Sequence, residues 1–353
     1  ANQFLLQLHE TMSILMLSSL RIISLILALC LPLSTALSIS TSATSSNNNV
    51  TPFLYLDRIG FAPDEANKII SAAAPSVENL QKILTAHLLA VPFENMDQHE
   101  HPACSSSSGS SNNNAPLVPR KQPADLPSLN DIEKTLTKII HKRRGGFCFE
   151  LNFAFGWLLR NLGYSVRFAL ADVSCQQIIP AHVVILVDGL LLLPTDASPT
   201  TVLVDVGFGT PGVCEVVLPL EYDQPRTNPF GDVFRFDALR DHARFDTTLY
   251  RTRIYTKPDE EEPMYRFQSN DDMPMESNEF EKGLHHVLNN SPTFNGKRLC
   301  VLSTEKGHLT LGKDYIKWVD QGGSKVTRKE LSTETLWRNA LEDHFGVILQ
   351  NDE

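Results

Sequence analysis

Apolar positions follow two different periods along this chain, and the change of period divides it. Before about residue 165 the period is helical. Leu80, Leu84 and Leu88 fall at i, i+4 and i+8, which makes one buried face of a helix over 76–90 with Ser76 as its N-cap. A second helical pattern covers 63–73, and AVPFENMDQ at 90–98 reads as a turn. A helix is expected over 131–141, opened by Ser128 or Asn130. Another runs from Phe149 to Leu162 and stops at Gly163, a residue suited to the position after a helix end. From Val166 the pattern changes to short β-branched apolar runs: VRFALADV, AHVVILV, LLLLP, TVLVDVGF and CEVVLPL. These read as strands, with Asp188-Gly189 as a hairpin turn between two of them. More strands are expected at 233–236, 248–255 and 265–267. A helix follows at 278–288, then at least two strands in 297–319 with a turn at Lys306-Gly307. A closing helix over 330–345 carries Leu336, Ala340, Leu341 and Phe345 on one face. Helices, then strands, then a mixed segment predict an α+β protein.

Two stretches stand outside that pattern. From Met12 the chain reads MSILMLSSLRIISLILALCLPLSTALS. Arg21, an apolar run over 22–33 and the small residues Ser34-Thr35-Ala36 resemble a secretory or organelle-targeting leader. The run is too short for a membrane span, and translated upstream sequence with no role is the equal alternative. Residues 1–50 are left out of the expected fold. The Asn49-Val50-Thr51 sequon matters only if the chain enters the secretory pathway. The second stretch, 99–125, is rich in Ser, Asn and Pro and reads as a surface insertion. His99, His101 and Cys104 lie in it without a fourth ligand at suitable spacing, so it reads as a polar loop and no metal is expected.

Composition narrows the function classes. The 353 residues suffice for two or three packed units. A net charge of -10 with no basic block argues against nucleic-acid binding; the run Lys142-Arg143-Arg144 reads as local structure. None of the six cysteines (Cys30, Cys104, Cys148, Cys175, Cys214 and Cys300) forms a C-x-x-C pair. This suits a reduced compartment, so a cytoplasmic location is expected, with targeting through 12–36 as the alternative.

One cysteine has a distinctive place. Cys148 follows Gly145-Gly146-Phe147 and opens a helix, where free N–H groups and the positive end of the helix dipole favour a thiolate. Such a nucleophile needs a base, and the base needs an orienter. His182 opens a strand after Pro180, and Asp205 lies between valines in LVDVGFG, a costly place for a carboxylate without a partner. A satisfied core histidine and a strand-end aspartate fit the pattern equally well.

RGGFCFELN at 144–152, AHVVILV at 181–187 and VDVGFG at 204–209 together resemble the three catalytic segments of the arylamine N-acetyltransferases. LDRIGF at 56–61, AHLLAVPFENMD at 86–97 and WRNALEDHFGVIL at 337–349 are similar to that family's N-terminal and closing helical regions. The resemblance implies a helical bundle (51–165), a central antiparallel β-barrel (166–271) and a C-terminal α/β lid (272–353), as in the papain-like superfamily of cysteine triads. It implies acetyl transfer from acetyl-CoA to an arylamine or arylhydrazine by a ping-pong route through acetyl-Cys148, with His182 as base and Asp205 as orienter. It also implies Phe93 and Phe208 as walls of the aromatic acceptor site, and Gly207, Gly209 and Thr210, within the stretch 207–212, beside the acyl donor. Arg144 and Glu150 are expected as an ion pair bracing the helix start. The interval before His182 is shorter and that after it longer than the family pattern, so the loops beside the acceptor site are altered. A papain-like or transglutaminase-like hydrolase shares the Cys-His-Asp order, and a protein that keeps only the scaffold is the non-enzymatic alternative; use of an acyl-CoA donor separates them.

Overall fold

The computed structural model describes residues 50–98 and 131–349, apart from 174, 176–178, 193–197, 211–214, 275–276, 292–296, 321–322 and 324. The expected leader up to 49, the insertion at 99–125 with its His99, His101 and Cys104, the helix starters Ser128 and Asn130, and Gly212 lie outside these residues.

The helical part is built from α1 (Pro52–Arg58), α2 (Pro63–Ile70), α3 (Val77–Ala90), α4 (Ile132–Ile140) and α5 (Cys148–Asn161). Local chemistry sets the starts. Thr51, Ser76 and Asp131 accept hydrogen bonds from the freed N–H groups of Leu54, Asn79 and Lys134. The α5 helix ends before Gly163 at φ +85°, where a left-handed residue is needed. Leu80, Ile83, Leu84 and Leu88 of α3 are buried as the i, i+4 pattern requires. The AVPFENMDQ stretch is more than a turn. Phe93–Glu94 forms β1, and Met96–Gln98 a turn of 3₁₀ helix.

Eight antiparallel strands follow in the spatial order β5-β4-β3-β2-β9-β8-β7-β6: β2 (Ser165–Val173), β3 (His182–Leu190), β4 (Thr200–Val204), β5 (Leu218–Pro219), β6 (Arg226–Thr227), β7 (Val233–Ala238), β8 (Thr247–Arg253) and β9 (Lys257–Phe267). Strand β3 explains the unbroken run VVILV. Val183, Ile185 and Val187 pack towards the helices, while Val184 and Leu186 pack into the sheet's own core with Phe234, Phe236, Leu249 and Phe267. A strand covered on both faces has no polar side to show. Asp188-Gly189 is not a hairpin turn. β3 runs through it to Leu190, and the register with β4 shifts there, between the pairs Val187–Val202 and Leu190–Thr200. This is a bulge with Gly189 at φ +77°. Asp188 is held by Arg167 and Thr201.

The remaining part has α6 (Asn278–Asn290), β10 (Cys300–Thr304), β11 (Gly307–Leu311), β12 (Tyr315–Asp320), β13 (Val326–Glu330) and α7 (Glu334–Phe345). Its sheet has the order β1-β10-β11-β12-β13. The early strand β1 therefore belongs to the late sheet, with Phe93 opposite Val301 and Glu94 opposite Cys300. Helix α7 buries Trp337, Ala340, Leu341 and Phe345, and Leu336 points outward, 41% exposed. The buried stripe starts one residue later than expected because Thr333 caps the helix and Trp337 Nε1 donates to Gly312 O at 2.7 Å. The expected class, helices before an antiparallel barrel-like sheet and then an α/β part, describes this architecture. No helix among the described residues is long and apolar enough to cross a membrane.

Candidate active site

Three separate elements bring Cys148, His182 and Asp205 together. Cys148 is the first residue of α5 and His182 the first of β3, while Asp205 follows the last residue of β4. The strand period aims the latter two. His182 keeps the facing of Val184 and Leu186, and Asp205 that of Leu203, so both sit at the rim of the barrel core. His182 Nε2 donates to Asp205 Oδ2 at 2.7 Å. With that nitrogen committed, Nδ1 is left for the Cys148 sulfur, whose interaction with the ring also favours the charged imidazole. The sulfur itself lies 3.9 Å from Ala181 O.

Burial and charge compete at this histidine. Burial opposes the imidazolium, but the Asp205 carboxylate and the Cys148 side chain outweigh it and hold the His182 pKa up at about 10. Asp205 is buried as well, which by itself raises a carboxyl pKa. The His182 charge and hydrogen bonds from His182, Asn152 and the Gly207 N–H overcome that, so its pKa lies below the usual range. The geometry suits a nucleophile–base–orienter relay in a water-poor setting.

The start of α5 is anchored from below. Arg144 and Glu150, expected as an ion pair with each other, are instead each bound to other members of a buried cluster. Arg144 binds Glu94 Oε1 at 3.0 Å and Asp97 Oδ1 at 2.9 Å, while Glu150 binds Lys138 Nζ at 2.9 Å. Glu150 also accepts from the Phe147 N–H, one of the donors that the helix start leaves free. Lys138 lies on α4, so the cluster ties α4, β1 and the 3₁₀ turn to α5, the helix that Cys148 opens.

A cavity of about 350 Å³ opens over the sulfur. Cys148 and His182 line it, and so do Phe93, Phe208, Gly207, Gly209 and Thr210, the five residues expected to meet substrates. The Phe208 ring meets His182 edge to face at 5.4 Å, and Tyr265 stands 5.5 Å from the same imidazole. Gly207 is needed for close approach. A Cβ there would lie 2.6 Å from Cys148 Cα and 2.6 Å from Asn152 Nδ2. Gly209 sits at φ +76° facing the Phe93 ring. Three lining residues, His286, Val287 and Asn290, come from α6 and carry no local motif. Asn152 also belongs to the site, and its place one turn after Cys148 is the only sequence signal for it. Among the described residues no group of three or more His, Cys, Asp or Glu could hold a metal ion.

A family model described as N-acetyltransferase matches residues 126–353. The chain belongs to the arylamine N-acetyltransferase family. Relatives that bear this family's name include an arylamine N-acetyltransferase / N-hydroxyarylamine O-acetyltransferase of Salmonella typhimurium, 34% identical over 135 residues, 38% of each chain. An arylamine N-acetyltransferase of Mycobacterium tuberculosis is 32% identical over 212 residues, 58% of this chain and 63% of the relative. The chain thus spans between about a third and two thirds of these relatives' length. An arylamine N-acetyltransferase of Mycobacterium marinum, solved in complex with CoA, shares the fold with a TM-score of 0.60 at 24% identity, covering 83% of this chain and 91% of that one.

Proposed function

We propose that this arylamine N-acetyltransferase family member moves an acetyl group from acetyl-CoA to an arylamine or arylhydrazine, through acetyl-Cys148. The observation that carries the reading is the His182 imidazole, held between the Cys148 sulfur and a buried carboxylate at 2.7 Å. In the first half-reaction the Cys148 thiolate attacks the thioester carbonyl carbon. A carbon–sulfur bond to Cys148 forms, the bond to the CoA sulfur breaks, and CoA leaves as its thiol with the proton that His182 held. In the second, the amine nitrogen attacks the acetyl-cysteine carbonyl. His182 takes the amine proton, and the Cys148 thiolate is regenerated as the amide departs. Asp205 keeps the imidazole oriented and its charge matched throughout.

The cavity fits both partners. The Phe93 and Phe208 rings offer flat apolar faces to an aromatic amine. Gly207 and Gly209 let a thin acyl-thioester chain pass close to the backbone beside the sulfur, and the CoA complex of the Mycobacterium marinum protein makes that donor the first to try. A cytoplasmic setting, where acetyl-CoA and reduced thiols coexist, suits the chemistry.

The test is intact-mass spectrometry after rapid mixing with acetyl-CoA, followed by an arylamine. Acetyl on Cys148 with one equivalent of CoA released, then loss of that acetyl as the amine is acetylated, is the expected sequence. Peptide cleavage without any need for CoA would make the protein a hydrolase instead.

A further inference from the structure

We infer that Asn152 is a positioning residue of this site, one that fixes the plane of the Asp205 carboxylate so that Oδ2 is presented to His182. The inference rests on the reading of Cys148, His182 and Asp205 as a working triad. Asn152 lies one helical turn after Cys148 on α5 and is fully buried. Its Nδ2 donates to Asp205 Oδ1 at 2.8 Å and to Val183 O at 2.7 Å. Its Oδ1 accepts from the Val206 N–H at 3.0 Å. Both amide hydrogens and the amide oxygen are therefore in use.

The partners are specific. Val183 is the neighbour of the base, and Val206 that of the orienter. One side chain on the nucleophile's own helix thus locks the backbone beside each of the other two members. Asp205 Oδ1 takes a second hydrogen bond from the Gly207 N–H at 2.9 Å, while Oδ2 meets the imidazole. Two donors on one oxygen prevent the carboxylate from turning, and bonds to a charged acceptor are roughly twice as strong as neutral ones. Asn152 acts on the sulfur only through Asp205 and His182. The titratable groups facing that imidazole among the described residues are Cys148 from α5, Asp205 after β4 and Tyr265 from β9; His286 from α6 lines the same cavity.

Asn152→Asp separates this role from simple packing, because it keeps the volume and removes the amide hydrogens. It also sets a second carboxyl against Asp205. The experiment is the pH profile of Cys148 alkylation by iodoacetamide in the full chain, with the modified residue identified by peptide mapping. No acyl donor is involved, so a failure of acetyl transfer does not confuse the result. The acid limb of the profile is expected to move up by about one pH unit in Asn152→Asp, with an approximately tenfold slower reaction on that limb, while circular dichroism keeps the wild-type form. Asn152→Ser, which loses the same contact with less bulk, is the second variant and should move the limb in the same direction. A wild-type profile in either folded variant overturns the role given to Asn152. If Cys148 in the unmodified protein reacts only as an ordinary thiol, the triad reading falls and the role falls with it.

Discussion

Two buried histidines in different regions of this molecule have opposite chemistry. His87 lies in the helical part with no exposed surface, and His182 lies at the barrel rim at 3%. His87 is flanked by Tyr55, whose hydroxyl is 3.1 Å from Nδ1, and by the edge of Phe155 at 5.0 Å. Its Nε2 finds no partner among the described residues. Burial, with the nearby Arg58 charge adding to it, pushes its pKa down to about 3. His182 is as thoroughly buried, yet its pKa is held up at about 10 because a carboxylate and a thiol face it. Burial alone makes a histidine inert. A carboxylate acceptor at 2.7 Å keeps the same side chain charged.

Removing that acceptor breaks the contrast most strongly. Asp205→Asn keeps the shape but lets an amide N–H face Nε2, which drives the ring proton to the wrong nitrogen. Acetylation of Cys148 by acetyl-CoA is expected to fall by about a thousandfold or more, measured by single-turnover mass spectrometry. Gly207→Ala attacks the same region through space. Its Cβ would come 2.6 Å from Cys148 Cα, so Cys148 must shift. A displacement of that kind costs about a hundredfold, visible in steady-state turnover, and the clash with buried backbone lowers the Tm as well.

The other two tests concern His87. Its folded pKa lies below its unfolded value of 6.5, so the unfolded chain binds its proton first as pH falls. Stability from this site is present above 6.5 and is lost between about 6.5 and about 3, at up to about 1.4 kcal/mol per pH unit. His87→Leu should flatten that portion of an acid-denaturation series without altering alkylation of Cys148. His182 has the opposite sign: its contribution is complete below 6.5 and is lost as pH rises towards about 10. The smallest effect is expected for Tyr55→Phe, which takes away the hydroxyl facing Nδ1. A loss of about 1 kcal/mol in urea unfolding, with turnover unchanged, is the outcome foreseen.

Much of this was legible in the sequence, for reasons that differ by element. The α3 helix announces itself through a cap and a leucine stripe, both local. Strand β3 reads as a buried run because both its faces are covered. The proposed triad is readable because the Cys148, His182 and Asp205 segments each carry a motif. Other features depend on contacts between distant parts of the chain. β1 exists because Glu94 and Phe93 meet Cys300 and Val301, and nothing within AVPFENMDQ records that partner. β13 presents all five of its residues to solvent, so it has no apolar period to read. Helix α1 is only seven residues long, too short for periodicity. At the site, the α6 wall with His286 and the three bonds of Asn152 arise only when separate elements are brought together.

The most direct test of the central claim is a titration of His182 by NMR, with isotope-labelled histidine and an Asp205→Asn sample for assignment. The ring is expected to stay protonated through neutral pH and to release its proton only towards about pH 10, and the Asp205→Asn variant is expected to lose this behaviour. A His182 that titrates near 6.5 in the unmodified protein, or one whose titration is unchanged in Asp205→Asn, would contradict this.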